Sequence, residues 1–171
     1  MTEAGLSGSG SDHEGPTPSF SLVVEPDWAS LSEKLEAELV SHSECNGNAF
    51  EYGHLAIKAV TSRGEMLGGV RGYVIQGRFS VEELAVLRRW RGHGVGRALL
   101  RALEDRVAGM GITSIYLGTW DFQAPAFYEA LGYEPFGRLP EIHGHPGKTW
   151  LAKRLQVPQG AGETAETLLW R

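Results

Sequence analysis

The sequence predicts a mixed α/β sheet, an α+β arrangement of six to seven strands with helices covering its faces. Two observations carry that expectation: short apolar runs with strand character outnumber the helical ones, and three of them follow one another before the longest helical run. The order is strand, helix, three strands, helix, strand, helix, two strands, which is not a simple βαβ repeat.

Taken in order, "FSLVVE" at 20–25 reads as a strand, and a helix follows from Asp27 with Leu31, Leu35 and Leu39 on one face. "HLAIKAVT" at 54–61 and "MLGGVRGYVIQG" at 66–77 are strands joined by "SRGE", a link short enough to favour antiparallel pairing. "FSVEELAVL" at 79–87 is the next strand. A long helix runs from about Val95 to Met110, where Leu99, Leu103 and Val107 share a face and Gly109 and Gly111 stand ready to end it. "TSIYLGTW" at 113–120 is a strand and "QAPAFYEAL" at 123–131 a helix ended by Gly132. "GYEPFG" and "KTWLAKRL" supply the final strands.

Residues 1–19, rich in Gly, Ser, Pro and Thr, have few groups able to fill a core and read as a flexible leader. Residues 20–155 form the domain, and 156–171 form a tail that begins at a Pro and Gly hinge. Its Leu168, Leu169 and Trp170 offer a contact for a second subunit, giving a homodimer, or for local packing. A chain of 171 residues buries a sizeable core without staples. The single Cys45 cannot form an intramolecular disulfide and no secretory signal opens the chain, so the cytoplasm is the expected location. No apolar run suits a membrane span, and a formal charge of −5 argues against general nucleic-acid binding while suiting a cationic small molecule.

The densest chemical signal is "RRWRGHGVGRALL" at 88–100. Arg88, Arg89, Arg91, Arg97, Arg101 and Arg106 gather in and after a glycine turn that leads into the long helix. Such a turn leaves N–H groups pointing out of a helix start, where the macrodipole adds positive potential, and so can cradle phosphate; a solvated basic face is the plainer alternative. The dinucleotide fingerprint fails because Arg97 stands where its third glycine belongs. The nucleotide P-loop fails at "IHGHPGKT", where Ile142 replaces the first glycine.

The spacing R-x-x-G-x-G in Arg91, Gly92, His93, Gly94, Val95 and Gly96, together with the later "QAPAFYEALGYEPFG", resembles the GNAT superfamily of acetyl-CoA-dependent N-acetyltransferases over about residues 20–155. That resemblance implies a central twisted mixed sheet and acetyl-CoA as co-substrate, with no metal. It implies that Arg91, Gly92, His93, Gly94, Val95, Gly96 and Arg97 hold the pyrophosphate of coenzyme A. It also implies that Leu84, Ala85 and Val86 pair with the pantetheine arm and offer an amide to the thioester carbonyl, where losing a preorganised donor costs about a hundredfold in rate or more. Gln123, with Asp121 beside it, stands near the place where the family often has an Asn for the pantetheine.

An amine must lose its proton to attack, and Glu82 or Glu83 is the candidate base or ammonium anchor, with plain exposed-strand positions as the alternative. Strand alternation would send the two carboxylates to opposite faces unless a bulge intervenes. Tyr128 matches the family tyrosine that protonates the departing thiolate, although its spacing with Ala124, Phe127 and Leu131 equally suits a core aromatic. Trp120, Asp121, Glu141 and His143 are candidate acceptor-pocket residues. His143 and His145 form H-x-H without a convincing third ligand, so no metal site is expected. The implied activity is acetyl transfer to a primary amine of a small cationic molecule, an aminoglycoside such as kasugamycin being the specific expectation. The alternatives are acetylation of a protein N-terminus or lysine, and a silent coenzyme A-binding module.

Overall fold

The structure, a computed structural model, describes residues 21–48 and 52–158. The expected leader and the tail's apolar end lie outside the described residues. The chain falls into two compact units, Met1–His42 and Ser43–Arg171.

In the first unit, residues 21–25 do not form the expected strand, and Phe20 lies outside the described residues. The apolar run there satisfies only half of what a strand needs. Its N–H and C=O groups also require a partner edge, and no ladder of the sheet includes these residues. Helix α1, Trp28–Cys45, begins as expected at Asp27, whose carboxylate accepts the Ser30 N–H at 3.2 Å and whose carbonyl accepts that of Leu31.

The second unit carries a six-stranded sheet in the order β1-β2-β3-β4-β6-β5. Its strands are β1 Tyr52–Val60, β2 Met66–Ile75, β3 Arg78–Val86, β4 Ser114–Trp120, β5 Glu134–Leu139 and β6 Lys148–Arg154. The three short connections between successive antiparallel strands are hairpins, as at "SRGE", while β3 and β4 run parallel because helix α2, Val95–Gly109, crosses between them. A 3-10 turn at Arg88–Trp90 precedes α2, and the short helix α3, Pro125–Glu129, precedes β5.

The core lies on one face of the sheet. Val70 and Val74 of β2, Phe79 and Val81 of β3, Ile115 and Leu117 of β4 and Leu151 of β6 meet Leu99, Leu100, Leu103 and Val107 of α2. The expected Leu99, Leu103 and Val107 stripe is therefore the buried one, widened by Leu100. Each such side chain contributes about 1.5–3 kcal/mol by leaving water. The opposite face carries His54, Lys58, Arg71, Tyr73, Ser80 and Tyr116, as the cross-strand partners His54↔Tyr73, Tyr73↔Ser80 and Ser80↔Tyr116 require.

Candidate active site

Two departures from regular pairing build the site. β3 stays paired with β2 as far as Val86↔Gly68, but its parallel ladder with β4 holds only from Phe79 to Val81. Beyond Val81 the far end of β4 follows β6, to which it pairs through Trp120↔Lys148, and the two parallel strands part. The edge of β3 at Leu84, Ala85 and Val86 is thereby left without a strand on its β4 side. Leu84 and Val86, the turn from Trp90 to Arg97, and Ala124, Phe127 and Tyr128 of the α3 region line a cleft of about 590 Å³ at this opening.

The turn is built to present amides. Gly92 and Gly94 have φ of +77° and +79°, where a side chain is strained, and a Cβ at either would meet nothing within 4 Å. No N–H from residue 92 to 97 donates to a backbone carbonyl among the described residues, and Ala98 makes the first helical bond, to the Gly94 carbonyl at 3.0 Å. No side chain caps α2 at Gly94. Unclaimed donors at a positive helix end are the features that suit an anion. Of the surrounding arginines, Arg89 pairs with Glu65, Arg91 donates from Nε to the Val86 carbonyl at 3.1 Å, and Arg97 lines the cleft. His93 turns its Nδ1 to the Arg91 carbonyl at 2.8 Å and its ring lies edge-on to Trp90. Basic charge and open amides thus coincide.

The carboxylates lie on the other face. Arg71 pairs with Glu83 and Gly72 with Val81, so Glu82 is the extra residue of a β-bulge. The bulge cancels the alternation that would separate Glu82 from Glu83. Ser80 Oγ donates to Glu82 at 3.1 Å, and the Arg71 guanidinium grips Glu83 through two hydrogen bonds of 2.9 Å. Those bonds and the adjoining positive charge hold the Glu83 carboxyl below the usual carboxylate range, and Arg71 in turn senses Glu82. Glu83 is therefore committed to Arg71, whereas Glu82 keeps one carboxylate oxygen beyond the Ser80 contact. Neither Arg71 nor Ser80 stands out in the sequence, because the bulge that brings them to the carboxylates has no local signature there.

Tyr128 lines the cleft from α3, with ring centroids 5.1 Å from Phe127 and 6.0 Å from the buried Tyr133. Burial pushes its hydroxyl above the ordinary tyrosine value, which favours the protonated phenol. Gln123 does not line the cleft. Its Oε1 accepts the Trp120 N–H at 3.0 Å and the Thr119 hydroxyl at 3.3 Å, which shapes the turn from β4 to α3. Asp121 is clamped by Arg138 at 2.9 and 2.8 Å, with Thr149 completing the group. Trp120 ends β4 partly exposed. Glu141 and His143 lie apart in the loop after β5, where Ile142 and His145 bond to each other across a tight turn and His143 takes a φ of +50°.

The sequence pattern of the acetyltransferase (GNAT) family matches residues 21–133. The blasticidin-S acetyltransferase of Streptomyces morookaense is 37% identical over 87 residues, which are 50% of this chain but only 64% of that protein, less than two thirds of its length. Two crystal structures share the fold. An acetyltransferase from Bacillus cereus ATCC 14579 has a TM-score of 0.70 at 22% identity, over 78% of this chain and 98% of its own. An aminoglycoside 6'-N-acetyltransferase complexed with coenzyme A has a TM-score of 0.53 at 24% identity, over 74% of this chain and 83% of its own. With a family pattern that spans the glycine turn, the open β3 edge and Tyr128, the chain belongs to the acetyltransferase (GNAT) family.

Proposed function

We propose that this protein transfers acetyl from acetyl-CoA to a primary amine of a small antibiotic-class molecule by direct attack in a ternary complex. The observation that carries this reading is the juxtaposition at the parted strands. Unclaimed amides and an unpaired β3 edge open on the helical side of the sheet, and paired carboxylates stand on the other. The name of the blasticidin-S relative favours an antibiotic amine over a peptide.

The cradle fits a diphosphate: its amides lack partners, and the space a Cβ would fill at Gly92 and Gly94 is open. Bound there, acetyl-CoA supplies an activated thioester. The turn from Arg91 to Arg97 holds its phosphates, and the Leu84–Val86 edge aligns its arm and offers an amide to the carbonyl. Glu82 anchors the incoming ammonium and takes one proton, so that the neutral amine attacks. As the new N–C bond forms and the C–S bond breaks, Tyr128 gives its phenol proton to the departing sulfur, and the second proton lost by the nitrogen restores the phenol. Arg71 keeps Glu83 anionic and locks the bulge that presents Glu82.

The test is a thiol-release assay with acetyl-CoA against blasticidin S, kasugamycin, other aminoglycosides, polyamines and short peptides. Turnover on one or a few antibiotic amines supports the reading. Peptide turnover with inert antibiotics overturns the acceptor class, and no turnover with any amine despite coenzyme A binding overturns the enzymatic reading in favour of a binding module.

A further inference from the structure

The carboxylate-bearing face also carries a cation that the reaction outlined above does not use. Lys148 stands opposite Trp120 in the β4–β6 ladder, and Trp150 stands opposite Gly118. These four positions share a face, with the buried Thr119 and Thr149 pointing to the other side. The Lys148 ammonium lies 5.2 Å from the centroid of each indole, between the two rings. Gly118 leaves room for the lysine stem, since a Cβ there would come within 2.7 Å of Lys148 Cε and 3.1 Å of Trp150 Nε1. The cation is therefore placed, not trailing in solvent.

No carboxylate pairs with Lys148 among the described residues. Asp121, next to Trp120 in the chain, is taken by Arg138, and Glu104 by Lys153. The aromatic faces offset part of the cost of a half-buried ammonium. They supply no counter-ion and no hydrogen-bond acceptor for its three N–H donors. A lone fixed cation on the face that admits an ammonium acceptor works against that acceptor, unless the acceptor brings an anion to it.

Resting on the acetyl-transfer reading, we infer that Lys148, framed by Trp120 and Trp150, is a specificity-determining contact for a carboxylate-type group on the acceptor. The acceptor is then bipolar, its amine directed to Glu82 on β3 and its anionic group to Lys148 on β6. β4 stands between β3 and β6 in the sheet, so the acceptor reaches across that strand.

The probes are 8-aminooctanoate, whose flexible chain can bridge across one strand, and octylamine, which has the same length without the carboxylate. Thiol release is measured for the unmodified protein, Lys148→Met and Lys148→Arg. The expected result is a KM about tenfold or more lower for 8-aminooctanoate than for octylamine, with similar kcat, as loss of one hydrogen bond to a charged group implies. Lys148→Met abolishes the preference and Lys148→Arg restores it in part. Turnover of both amines without preference, or a preference that survives in Lys148→Met, overturns the inference and leaves acetyl transfer intact. If neither amine turns over, tryptophan fluorescence titration with 8-aminooctanoate on the coenzyme A-bound protein decides: binding lost in Lys148→Met sustains the role of Lys148, and equal binding or none overturns it.

Discussion

Two glycines two residues apart in the turn that leads into α2 differ in their physical need, and alanine separates them. Gly94 sits at φ +79° with open space where a Cβ would go, so Gly94→Ala meets no clash but must hold an alanine in the left-handed region. That conformation costs about 1–2 kcal/mol for an L-residue. Gly96 lies within the first turn of α2 with no positive φ, and its Cβ would meet Phe127 Cζ at 3.5 Å and Val86 Cγ2 at 3.6 Å, ordinary contact distances. Gly96→Ala therefore gains helix propensity, up to about 1 kcal/mol. At roughly 2–4 °C per kcal/mol for a domain of this size, thermal unfolding should show Gly94→Ala lowered by about 2–8 °C and Gly96→Ala unchanged or raised. Coenzyme A titration on the same proteins should show weaker binding for Gly94→Ala, whose methyl group intrudes where phosphate must approach the amides. A Gly94→Ala protein as stable as the parent, or a Gly96→Ala protein lowered as far, would refute this account of the turn.

Tyr128→Phe should lower kcat by about a hundredfold while leaving the coenzyme A affinity near its original value, because a proton donor is lost and the ring packing against Phe127 and Tyr133 is kept. Since burial raises the Tyr128 pKa, its folded state favours the protonated phenol; the associated stability is present below the ordinary tyrosine value near 10 and is lost as pH rises through the folded value, a contribution that Tyr128→Phe should remove from alkaline unfolding curves. Arg71→Met should move the Glu83 carboxyl, followed by NMR titration, up to the ordinary glutamate value, because the hydrogen bonds and charge that depress it are gone. The pair's stabilising effect, small on so exposed a surface, is present above that pH and fades as pH falls through the depressed folded value. Gly118→Ala should displace Lys148 from between the indoles, to be read as a change in tryptophan emission with little loss of the sheet's circular dichroism signal.

The sequence by itself determined the elements whose signal is local. Leucine spacing wrote α2, and the short "SRGE" link wrote the β1–β2 hairpin. The spacing of Arg91, Gly94 and Gly96 marked the glycine turn at the start of α2, because backbone freedom at a helix start depends on residues within a few positions of one another. What depends on pairing between distant segments was decided only in three dimensions. "FSLVVE" has the right residues for a strand and no ladder partner among the described residues. The Glu82 bulge exists only relative to Arg71 and Gly72 across the ladder, and it set which carboxylate is committed and which is presented. The parting of β3 and β4, the diversion of Gln123 and Asp121 into structural bonds, and the Trp120–Lys148–Trp150 stack likewise arise from register between strands far apart in the chain. Local propensity cannot encode such a register, because one residue of slip sends every side chain of a strand to the other face.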